Sequence, residues 1–375
     1  MKKISPLLIT LFFIQFATGQ TSNGNINYGG EIRTYKIHIP PTYTPGTDVP
    51  LLVVLHGLGD SGNGIMLGTG FNQVADTAGF IAVYPDATTG ILGTMWNAGA
   101  DPTMQVDDVG MISALIDQIA SQYSIDMERV YSTGFSMGGF MSHRLACDLG
   151  DKIAAIASVA GTIGKFFTCN PTHVVPVMHS HGTADGTVTY EEGLFNRSVE
   201  WTINFWRNKN GCPETPVSET LPDIASDGFT VDRDYYGPGT GNSEVILYTI
   251  NGADPPQSWL RTPQNDMHMS REIWNFLKQY TAGEQILGVV DVQSPTLNVS
   301  VSPNPMSEFA NITVENNGGE SFDIRIFNVA GEIVFEQTNV IGNSLRFQKS
   351  DLPSGVYVVE VEVSDIVTHS QLSVQ

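Results

Sequence analysis

The strongest chemical signal in the sequence is Gly134-Phe135-Ser136-Met137-Gly138, a serine flanked by glycines. It follows the apolar start of a strand at Val130 and precedes an amphipathic segment, so we expect a turn between a strand and a helix. At such a turn the serine hydroxyl is lifted above the sheet, and the helix N terminus favours negative charge developing on a substrate. The pattern predicts that Ser136 is a nucleophile.

A serine nucleophile needs a histidine to take its proton and a carboxylate to hold that histidine. Asp185 follows the apolar run Val174–Met178, at the end of a predicted strand where such an acid belongs. Of the eight histidines, only His268 and His369 follow Asp185. His369 lies in a separate C-terminal region, so His268 is the candidate base. The alternatives are an Asp-Gly turn at Asp185 and an exposed histidine before the last helix.

Backbone amides must also stabilise the oxyanion that forms during acyl transfer. The amide of Met137, which follows the nucleophile, is one candidate. The other is the amide of Leu58, in the loop after the strand Leu51–Leu55. We expect His56, in the same loop, to hold the loop in place rather than act as a base.

Predicted strands and helices, which must position these residues, alternate along the first 280 residues. Continuously apolar runs predict strands that are buried on both faces, and an aspartate pair, Asp107 and Asp108, opens an amphipathic helix. The predicted strands are Arg33–Pro40, Leu51–Leu55, Phe80–Tyr84, Val130 onward, Ile153–Val159, Val174–Met178 and Val245–Ile250. A last helix spans Ser270–Tyr280. Strands that alternate with helices predict an α/β fold, a doubly wound and mostly parallel sheet.

The organisation of the chain changes after Tyr280. We predict a signal peptide at 1–19, a catalytic domain at 20–280, a linker at 281–296 and a small all-β sandwich at 297–375. The signal peptide has a basic start, an apolar run and small residues before Gln20. In the last region, apolar residues alternate with polar ones, which is typical of half-buried strands. They include Ile312 and Val314, Ile324 and Ile326, and Ile333 and Phe335, with a hairpin turn at Val329-Ala330-Gly331.

Composition excludes some classes of partner. Acidic residues outnumber basic ones 39 to 18, and the formal charge is -21, so the field repels nucleic acid. The apolar run near the N terminus is too short to span a bilayer comfortably. The spacing of the three cysteines, Cys147, Cys169 and Cys212, matches no metal motif. One disulfide is possible after export, and the sequence leaves all three pairings open.

The C-terminal region resembles the sorting domain of the type IX secretion system of Bacteroidetes. The resemblance rests on Ser302-Pro303-Asn304-Pro305, on Phe327-Asn328 followed by Gly331, and on the segment from Asp351 to Tyr357. It implies secretion across the outer membrane, and removal of the tail or anchoring at the surface. A carbohydrate-binding sandwich is the alternative, but the few aromatic residues form no evident platform for sugars.

The region from Tyr35 to Tyr280 resembles the secreted polyhydroxybutyrate depolymerases and feruloyl esterases of carbohydrate esterase family 1. The resemblance is carried by motifs in the family order: Pro50 to Gly57, Val106 to Gly110, Arg129 to Ser136, Arg144 to Cys147, and His181-Gly182-Thr183-Ala184-Asp185. It implies an α/β-hydrolase fold that cleaves carboxylic esters with Ser136 and Asp185. It also implies that Trp96 lies beside the cleft. We expect Asp108 to cap its helix rather than contact substrate.

The chain departs from that family at the expected histidine. The family segment reads Gly-Gly-His-Thr-Trp-Pro, whereas this chain reads Gly252 to Trp259 with Gln257 in the histidine slot if Trp259 is aligned. Glutamine is not a base. Either His268 replaces the family histidine from the same loop, or the protein keeps a binding cleft without its base.

These observations predict a secreted serine esterase that acts on acetyl or feruloyl esters of plant or algal polysaccharide. Ser136, Asp185 and His268 are its predicted catalytic residues, and Trp96 and Trp259 its predicted substrate contacts. We expect no metal or organic cofactor, no nucleic-acid partner and no membrane span in the mature protein. The alternatives are a polyester depolymerase and a catalytically silent ester- or glycan-binding protein.

Overall fold

The computed structural model describes residues 19–90, 93–254, 266–282, 298–315, 321–328, 333–349, 352–363 and 366–375. The chain divides into two compact units, Met1–Leu287 and Gly288–Gln375. The division falls inside the predicted linker, 281–296. Of the predicted signal peptide, only Gly19 is among the described residues. Of the predicted linker, only residues 281 and 282 are. Among the described helices, none is long and apolar enough to cross a membrane.

A ten-stranded sheet forms the centre of the first unit. Its strands in chain order are β1 (Gln20–Tyr28), β2 (Glu31–Ile39), β3 (Val49–Leu55), β4 (Ile81–Pro85), β7 (Ile125–Phe135), β8 (Ala155–Val159), β9 (Val177–Gly182), β10 (Val217–Thr220), β11 (Thr230–Tyr236) and β12 (Val245–Asn251). A small separate hairpin pairs β5 (Thr88–Gly90) with β6 (Gly93–Met95).

The order across the sheet is β1-β2-β4-β3-β7-β8-β9-β12-β11-β10. Neighbours from β4 to β12 pair in parallel, and antiparallel pairs close the sheet at both ends. Residues of the central strands alternate between two cores: Leu51, Val53 and Leu55 contribute to one, Leu52 and Val54 to the other. This alternation explains why the strands of the centre read as continuous apolar runs.

Helices cover both faces of this sheet. They are α1 (Gly62–Thr69), α2 (Phe71–Ala78), α3 (Asp108–Gln122), α4 (Met137–Asp148), α5 (Val199–Asn210) and α6 (Met269–Leu277), with a short 3-10 turn at Thr240–Asn242. Residues of α3, α4 and α5 share one core, and residues of α1, α2 and α6 share the other. The first unit therefore has the predicted doubly wound α/β architecture.

The helix after Asp107 shows how local sequence sets the element. Asp107 is the N-cap, and its carboxylate accepts a hydrogen bond from the Gly110 amide at 2.9 Å. Asp108 does not cap the helix, which corrects that expectation. Its buried carboxylate instead pairs with Arg33 at 2.9 Å and accepts from the Asn97 amide at 2.7 Å. On the apolar face of this amphipathic helix Val109 is half-buried, while four residues are buried: Ile112, Leu115, Ile116 and Ile119.

The structure selects one of the three possible cysteine pairings. Cys147, in α4, forms a disulfide with Cys169 in the segment after β8, across a sequence separation of 22 residues. Cys212 is a buried free thiol. The disulfide ties the far end of the helix that begins after Ser136 to a neighbouring loop.

The second unit is all-β, as predicted. Its strands are β13 (Asn298–Ser302), β14 (Phe309–Glu315), β15 (Phe322–Phe327), β16 (Ile333–Val340), β17 (Ser344–Gln348), β18 (Gly355–Val363) and β19 (Ile366–Val374). They form a sheet β13-β14-β17 and a sheet β16-β15-β18-β19, both antiparallel. Ile312, Val314, Ile324 and Ile326 are fully buried, whereas Ile333, on the edge strand β16, is exposed. The predicted turn at Val329-Ala330-Gly331 lies outside the described residues.

Candidate active site

Ser136 lies between the end of β7 and the start of α4, as the sequence predicts. Its backbone has φ 52° and ψ −118°, a conformation that a non-glycine residue rarely adopts. Such a residue costs about 1–3 kcal/mol and persists only where its surroundings hold it. The Ser136 amide donates to the Val159 carbonyl at 2.8 Å, and its carbonyl accepts from the Gly139 amide at 2.8 Å. These two hydrogen bonds hold the strained turn in place.

Close backbone packing explains the two glycines that flank the serine. A Cβ on Gly134 would overlap the backbone of Gly138. A Cβ on Gly138 would overlap the Leu55 carbonyl oxygen at the end of β3. Since backbone cannot move aside as a flexible side chain can, glycine is required at both positions. The turn therefore packs directly against the end of the neighbouring strand.

The loop after β3 lies beside the serine, where the second oxyanion donor is predicted. A Cβ on Gly57 would lie 3.5 Å from the Cβ of Ser136. Met137 is the first residue of α4, so its amide has no partner within the helix. Leu58 follows Gly57 and is 46% exposed. The chain thus brings the Met137 and Leu58 segments together next to Ser136.

His56 holds this loop in place, as predicted. Its Nε2 accepts a hydrogen bond from the Ala87 amide at 3.0 Å, so its proton is on Nδ1, which donates to the Gly57 carbonyl at 2.7 Å. Burial lowers the pKa of His56, which keeps the ring neutral. Because both ring nitrogens are hydrogen-bonded to the backbone, the neutral imidazole holds the loop and is not free to act as a base.

Trp96 belongs to the core and not to an exposed cleft wall. Its side chain is 1% exposed, and its indole N–H donates to the His56 carbonyl at 3.0 Å. The predicted substrate contact at Trp96 is therefore corrected: the ring supports the loop of His56 from below. Gln257 and Trp259 lie outside the described residues.

Asp185 lies three residues after β9 ends and is 4% exposed. Its Oδ1 accepts hydrogen bonds from the amides of Thr187 and Val188, both at 2.8 Å. Its Oδ2 is buried and accepts no hydrogen bond from any described residue. A buried carboxylate oxygen without a donor is costly, so it marks a position where a donor is expected during function.

The end of β12 lies against the Asp185 segment. The Thr183 amide donates to the Ile250 carbonyl at 3.0 Å, and the Ala184 amide to the Ala253 carbonyl at 3.0 Å. The Gly252 amide donates back to the Thr183 hydroxyl at 2.8 Å. The loop that leads to His268 therefore starts beside the acid.

His268 is the N-cap of α6 and is half-buried. The other end of α6 is held near the start of β7, because the Ala282 amide donates to the Glu128 carbonyl at 2.7 Å. The Tyr131 hydroxyl also donates to the Tyr280 carbonyl at 2.7 Å.

Asp266, two residues before His268, accepts hydrogen bonds from the amides of Ile224 at 2.8 Å and Ala225 at 3.1 Å. Both lie in the loop between β10 and β11, at the sheet edge where β12 ends, because Thr230 of β11 pairs with Asn251 of β12. The start of α6 therefore lies toward this edge.

Ser136 and Asp185 thus follow β7 and β9 at the carboxyl edge of the parallel strands, and the segment before His268 lies toward the same edge. The sequence reasoning missed two buried histidines behind the acid, His179 and His181, which are described below. They lie on one face of β9, beyond the end of the predicted strand Val174–Met178 and shortly before Asp185. That spacing was the available signal, since two polar rings on one face of a buried strand require partners.

A mostly parallel sheet covered on both sides, with a serine at a strained strand-to-helix turn and an acid after a later strand, defines the α/β-hydrolase fold. Among described residues, no group of three or more His, Cys, Asp or Glu side chains could hold a metal ion. A nucleophilic serine at a strand-to-helix turn and an acid after a later strand are features of serine hydrolases.

Comparison with known proteins supports this class. Residues 45–215 match the phospholipase/carboxylesterase family, and residues 300–375 match the secretion system C-terminal sorting domain. The acetyl xylan esterase structure from Aspergillus awamori has a TM-score of 0.51 at 16% identity and covers 68% of this chain and 98% of that one, which shows the fold.

Curated relatives are esterases and a depolymerase. The bifunctional acetylxylan esterase/xylanase XynS20E of Neocallimastix patriciarum is 31% identical over 67% of this chain and 34% of its own length. Feruloyl esterase B of Piromyces equi is 30% identical over 66% of this chain and 45% of its own. Poly(3-hydroxyalkanoate) depolymerase C of Paucimonas lemoignei is 27% identical over 63% of this chain and 61% of its own.

This chain spans about a third to just under half of the first two relatives. The resemblance predicted from the sequence is confirmed for both units: the first is similar to feruloyl and acetylxylan esterases and to a polyester depolymerase, and the second carries a sorting domain of a secretion system.

Proposed function

We propose that the protein is a secreted serine carboxylic-ester hydrolase that cleaves acetyl or feruloyl esters of plant or algal polysaccharide through an acyl-enzyme. The observation that carries this proposal is the strained conformation of Ser136 directly before the N terminus of α4. Strain of this kind is kept at functional sites, where it presents a reactive group. The second support is the buried Oδ2 of Asp185, which accepts no hydrogen bond from the described residues.

In the proposed mechanism His268 accepts the proton of the Ser136 hydroxyl while the Oγ bonds to the ester carbonyl carbon. The oxyanion that forms accepts hydrogen bonds from the amides of Met137 and Leu58. Each such donor contributes about 2.7–4 kcal/mol to lowering the barrier. His268 then returns the proton to the leaving alcohol oxygen as its bond to carbon breaks, which leaves the acyl group on Ser136.

Water completes the cycle by the same route in reverse. His268 takes a proton from water, the hydroxyl oxygen attacks the acyl carbon, and the Ser136 oxygen leaves and regains the proton. Asp185 Oδ2 accepts the Nδ1–H of His268 and stabilises the imidazolium at each stage. This use satisfies the carboxylate oxygen that accepts no hydrogen bond from the described residues.

The relatives guide the choice of substrate. Those named above act on acetylxylan, feruloyl esters and poly(3-hydroxyalkanoate). Acetyl and feruloyl esters of polysaccharide are our first choice, because the two most similar of these three are named for acetylxylan and for feruloyl esters. A polyester depolymerase is the second candidate, supported by the 27% identical relative.

Export is part of the proposal. The C-terminal unit matches a secretion-system sorting domain, so we propose passage through the type IX system to the medium or the outer-membrane surface, after removal of the signal peptide at 1–19. The strongly acidic composition, with a net charge of -21, suits a soluble secreted enzyme.

Turnover of 4-nitrophenyl acetate and methyl ferulate by the full chain tests the proposal. We expect both esters to be cleaved, and Ser136→Ala to reduce kcat by about 10⁶-fold, as for removal of other serine nucleophiles. Ser121→Ala is the matched control, because Ser121 is exposed and its hydroxyl donates to the Gln118 carbonyl of its own helix. Equal activity in the Ser136→Ala variant would overturn the assignment.

Two further variants test the base. His268→Ala should abolish turnover and Gln257→Ala should not. The reverse result would place the proton transfer on the Gln257 segment, and no turnover in the wild type would favour a silent binding protein. Clearing of a polyhydroxybutyrate suspension, with slow turnover of both small esters, would favour the depolymerase.

A further inference from the structure

Behind Asp185 the core contains three fully buried imidazoles: His143 of α4, and His179 and His181 of β9. The ring centroids of His143 and His179 are 5.6 Å apart, and those of His179 and His181 are 5.4 Å apart. Trp206 of α5 stacks on the far end of the row, 6.1 Å from His143. Polar rings placed in this way are costly unless their hydrogen bonds are satisfied.

Hydrogen bonds fix the protonation of the rings. The Val188 carbonyl lies 2.7 Å from His181 Nε2, so that nitrogen carries the proton. His181 Nδ1 is then an acceptor, and His179 Nε2 donates to it at 3.2 Å. At the far end, the Trp206 indole N–H donates to His143 Nδ1 at 3.0 Å. Each ring is neutral in this arrangement, and burial lowers the pKa of all three.

His181 contacts the first and the last residue of the turn 185–188, Asp185 and Val188. It donates to the Val188 carbonyl, and the amide of the same Val188 donates to Asp185 Oδ1 at 2.8 Å. His181 Nε2 also lies 3.5 Å from Asp185 Oδ2, the oxygen without a hydrogen bond. One ring thus sets the position of residue 188 and faces the carboxylate directly.

We propose that His181 is a positioning residue for Asp185. By donating to Val188 it closes the turn 185–188, and by remaining neutral it leaves Oδ2 available to the catalytic base. A protonated ring at 3.5 Å would form an ion pair with Oδ2 and compete for it. His179 opposes that state, because protonation of His181 Nδ1 would break the bond that His179 donates. This inference rests on the proposed function, in which Asp185 is the catalytic acid.

The kinetic test uses His181→Gln in the full chain, with 4-nitrophenyl acetate as substrate. Glutamine retains an N–H that reaches toward the Val188 carbonyl but loses the rigid ring. A misplacement of 1 Å costs about 10²-fold in rate, so we expect kcat to fall by about 10- to 100-fold with KM changed by less than about twofold. His38→Gln is the matched control, because His38 is also a buried histidine within 2.8 Å of an aspartate, Asp76, outside the site.

A double-mutant cycle separates positioning from general destabilisation. If His181 acts through Asp185, His181→Gln should cause no further loss of kcat in an Asp185→Asn background. The same loss in both backgrounds, or an unchanged kcat in the single variant, would overturn the inference. A fall in kcat for His38→Gln as large as for His181→Gln would do so as well.

A second readout does not depend on turnover. In protein labelled with ¹⁵N-histidine, His181 should show the Nε2–H neutral form at pH 7, and its resonances should shift on Asp185→Asn. An Nδ1–H form, or no shift, would contradict the inference even in an active enzyme. If the wild type cleaves no ester but both NMR results hold, the proposed function fails while the contact between His181 and Asp185 stands.

Discussion

The candidate site has two corners: the serine corner, which is the turn around Ser136, and the acid corner, which is the turn around Asp185. At the Ser136 corner, backbone packs against backbone, because Gly138 has no room for a Cβ beside the Leu55 carbonyl. Main-chain hydrogen bonds hold the strained serine. At the Asp185 corner, hydrogen bonds of side chains hold the turn, and a Cβ added to Gly186, next to the acid, would meet open space. The first corner is rigid by geometry, whereas the second depends on hydrogen bonds to a carboxylate. Substitutions should therefore affect the two corners in different ways.

Apart from Ser136→Ala and His268→Ala, the largest effect should come from Asp185→Asn. The amide oxygen can still accept from Thr187 and Val188, so the turn should keep its shape. The amide nitrogen replaces Oδ2, however, and it donates where the base needs an acceptor. We expect kcat to fall by about 10⁴-fold, as for the corresponding change in other serine triads, with little change in Tm. A loss below about tenfold in steady-state kinetics would show that Asp185 is not the acid.

Gly138→Ala should instead damage the fold. The added methyl group must displace the Leu55 carbonyl at the end of a central strand, and overpacking of this kind costs about 3 kcal/mol. Urea unfolding should show that loss in the free energy of unfolding, together with lower activity. Gly186→Ala is the control at the other corner, where we expect a change below about 0.5 kcal/mol. Equal effects at the two glycines would remove the contrast between the corners.

Removal of the disulfide tests whether the rigidity of the serine corner depends on the far end of α4. Cys147–Cys169 closes a loop with a sequence separation of 22 residues behind α4. Cross-links of this size stabilise by about 3 kcal/mol, mainly through the unfolded chain. The double variant C147S/C169S should lose about that much in urea unfolding, while kcat at 25 °C stays within about twofold. A large loss of kcat would mean that the disulfide shapes the serine turn itself.

Acid should weaken the side-chain corner through its buried histidines. Burial lowers the pKa of His143 to about 3 from 6.5. As the pH falls below about 6.5, the unfolded chain gains a proton that the folded chain does not bind, so stability present above that pH is lost. By pH 5 this loss is about 2 kcal/mol for one histidine.

His143→Gln should remove that part of the pH dependence, while its amide oxygen can still accept from Trp206. Unfolding midpoints measured from pH 7.5 to pH 5 should therefore fall less steeply in the variant than in the wild type. Parallel curves for the two proteins would show that His143 titrates in the folded state as it does in the unfolded chain.

The same contrast explains which parts the sequence could predict. The serine turn was readable because backbone packing demands glycine at two fixed positions, Gly134 and Gly138. The central strands were readable because burial on both faces demands continuous apolar runs. Positions set by side-chain contacts from distant segments were not readable: His181 was noted only as part of a motif, and the cysteine pairing stayed open.

Edge strands were also missed. The strand β1 (Gln20–Tyr28) buries only Ile26, so its polar residues give no strand signal. The strands β10 and β11 lie at the other end of the sheet, where β10 is fully exposed. The wrong expectation for Trp96 has a similar cause, because sequence order cannot tell a ring beside a cleft from one that supports the loop beneath it.

The acyl-enzyme on Ser136 is the most direct test of the account. The full chain is mixed with 4-nitrophenyl acetate, quenched in acid within the first turnovers, digested and analysed by mass spectrometry. We predict one acetyl group on the peptide that contains Ser136, absent from Ser136→Ala. Continued turnover with no acetyl group on that peptide, or with the group on another residue, would contradict the assignment of the nucleophile.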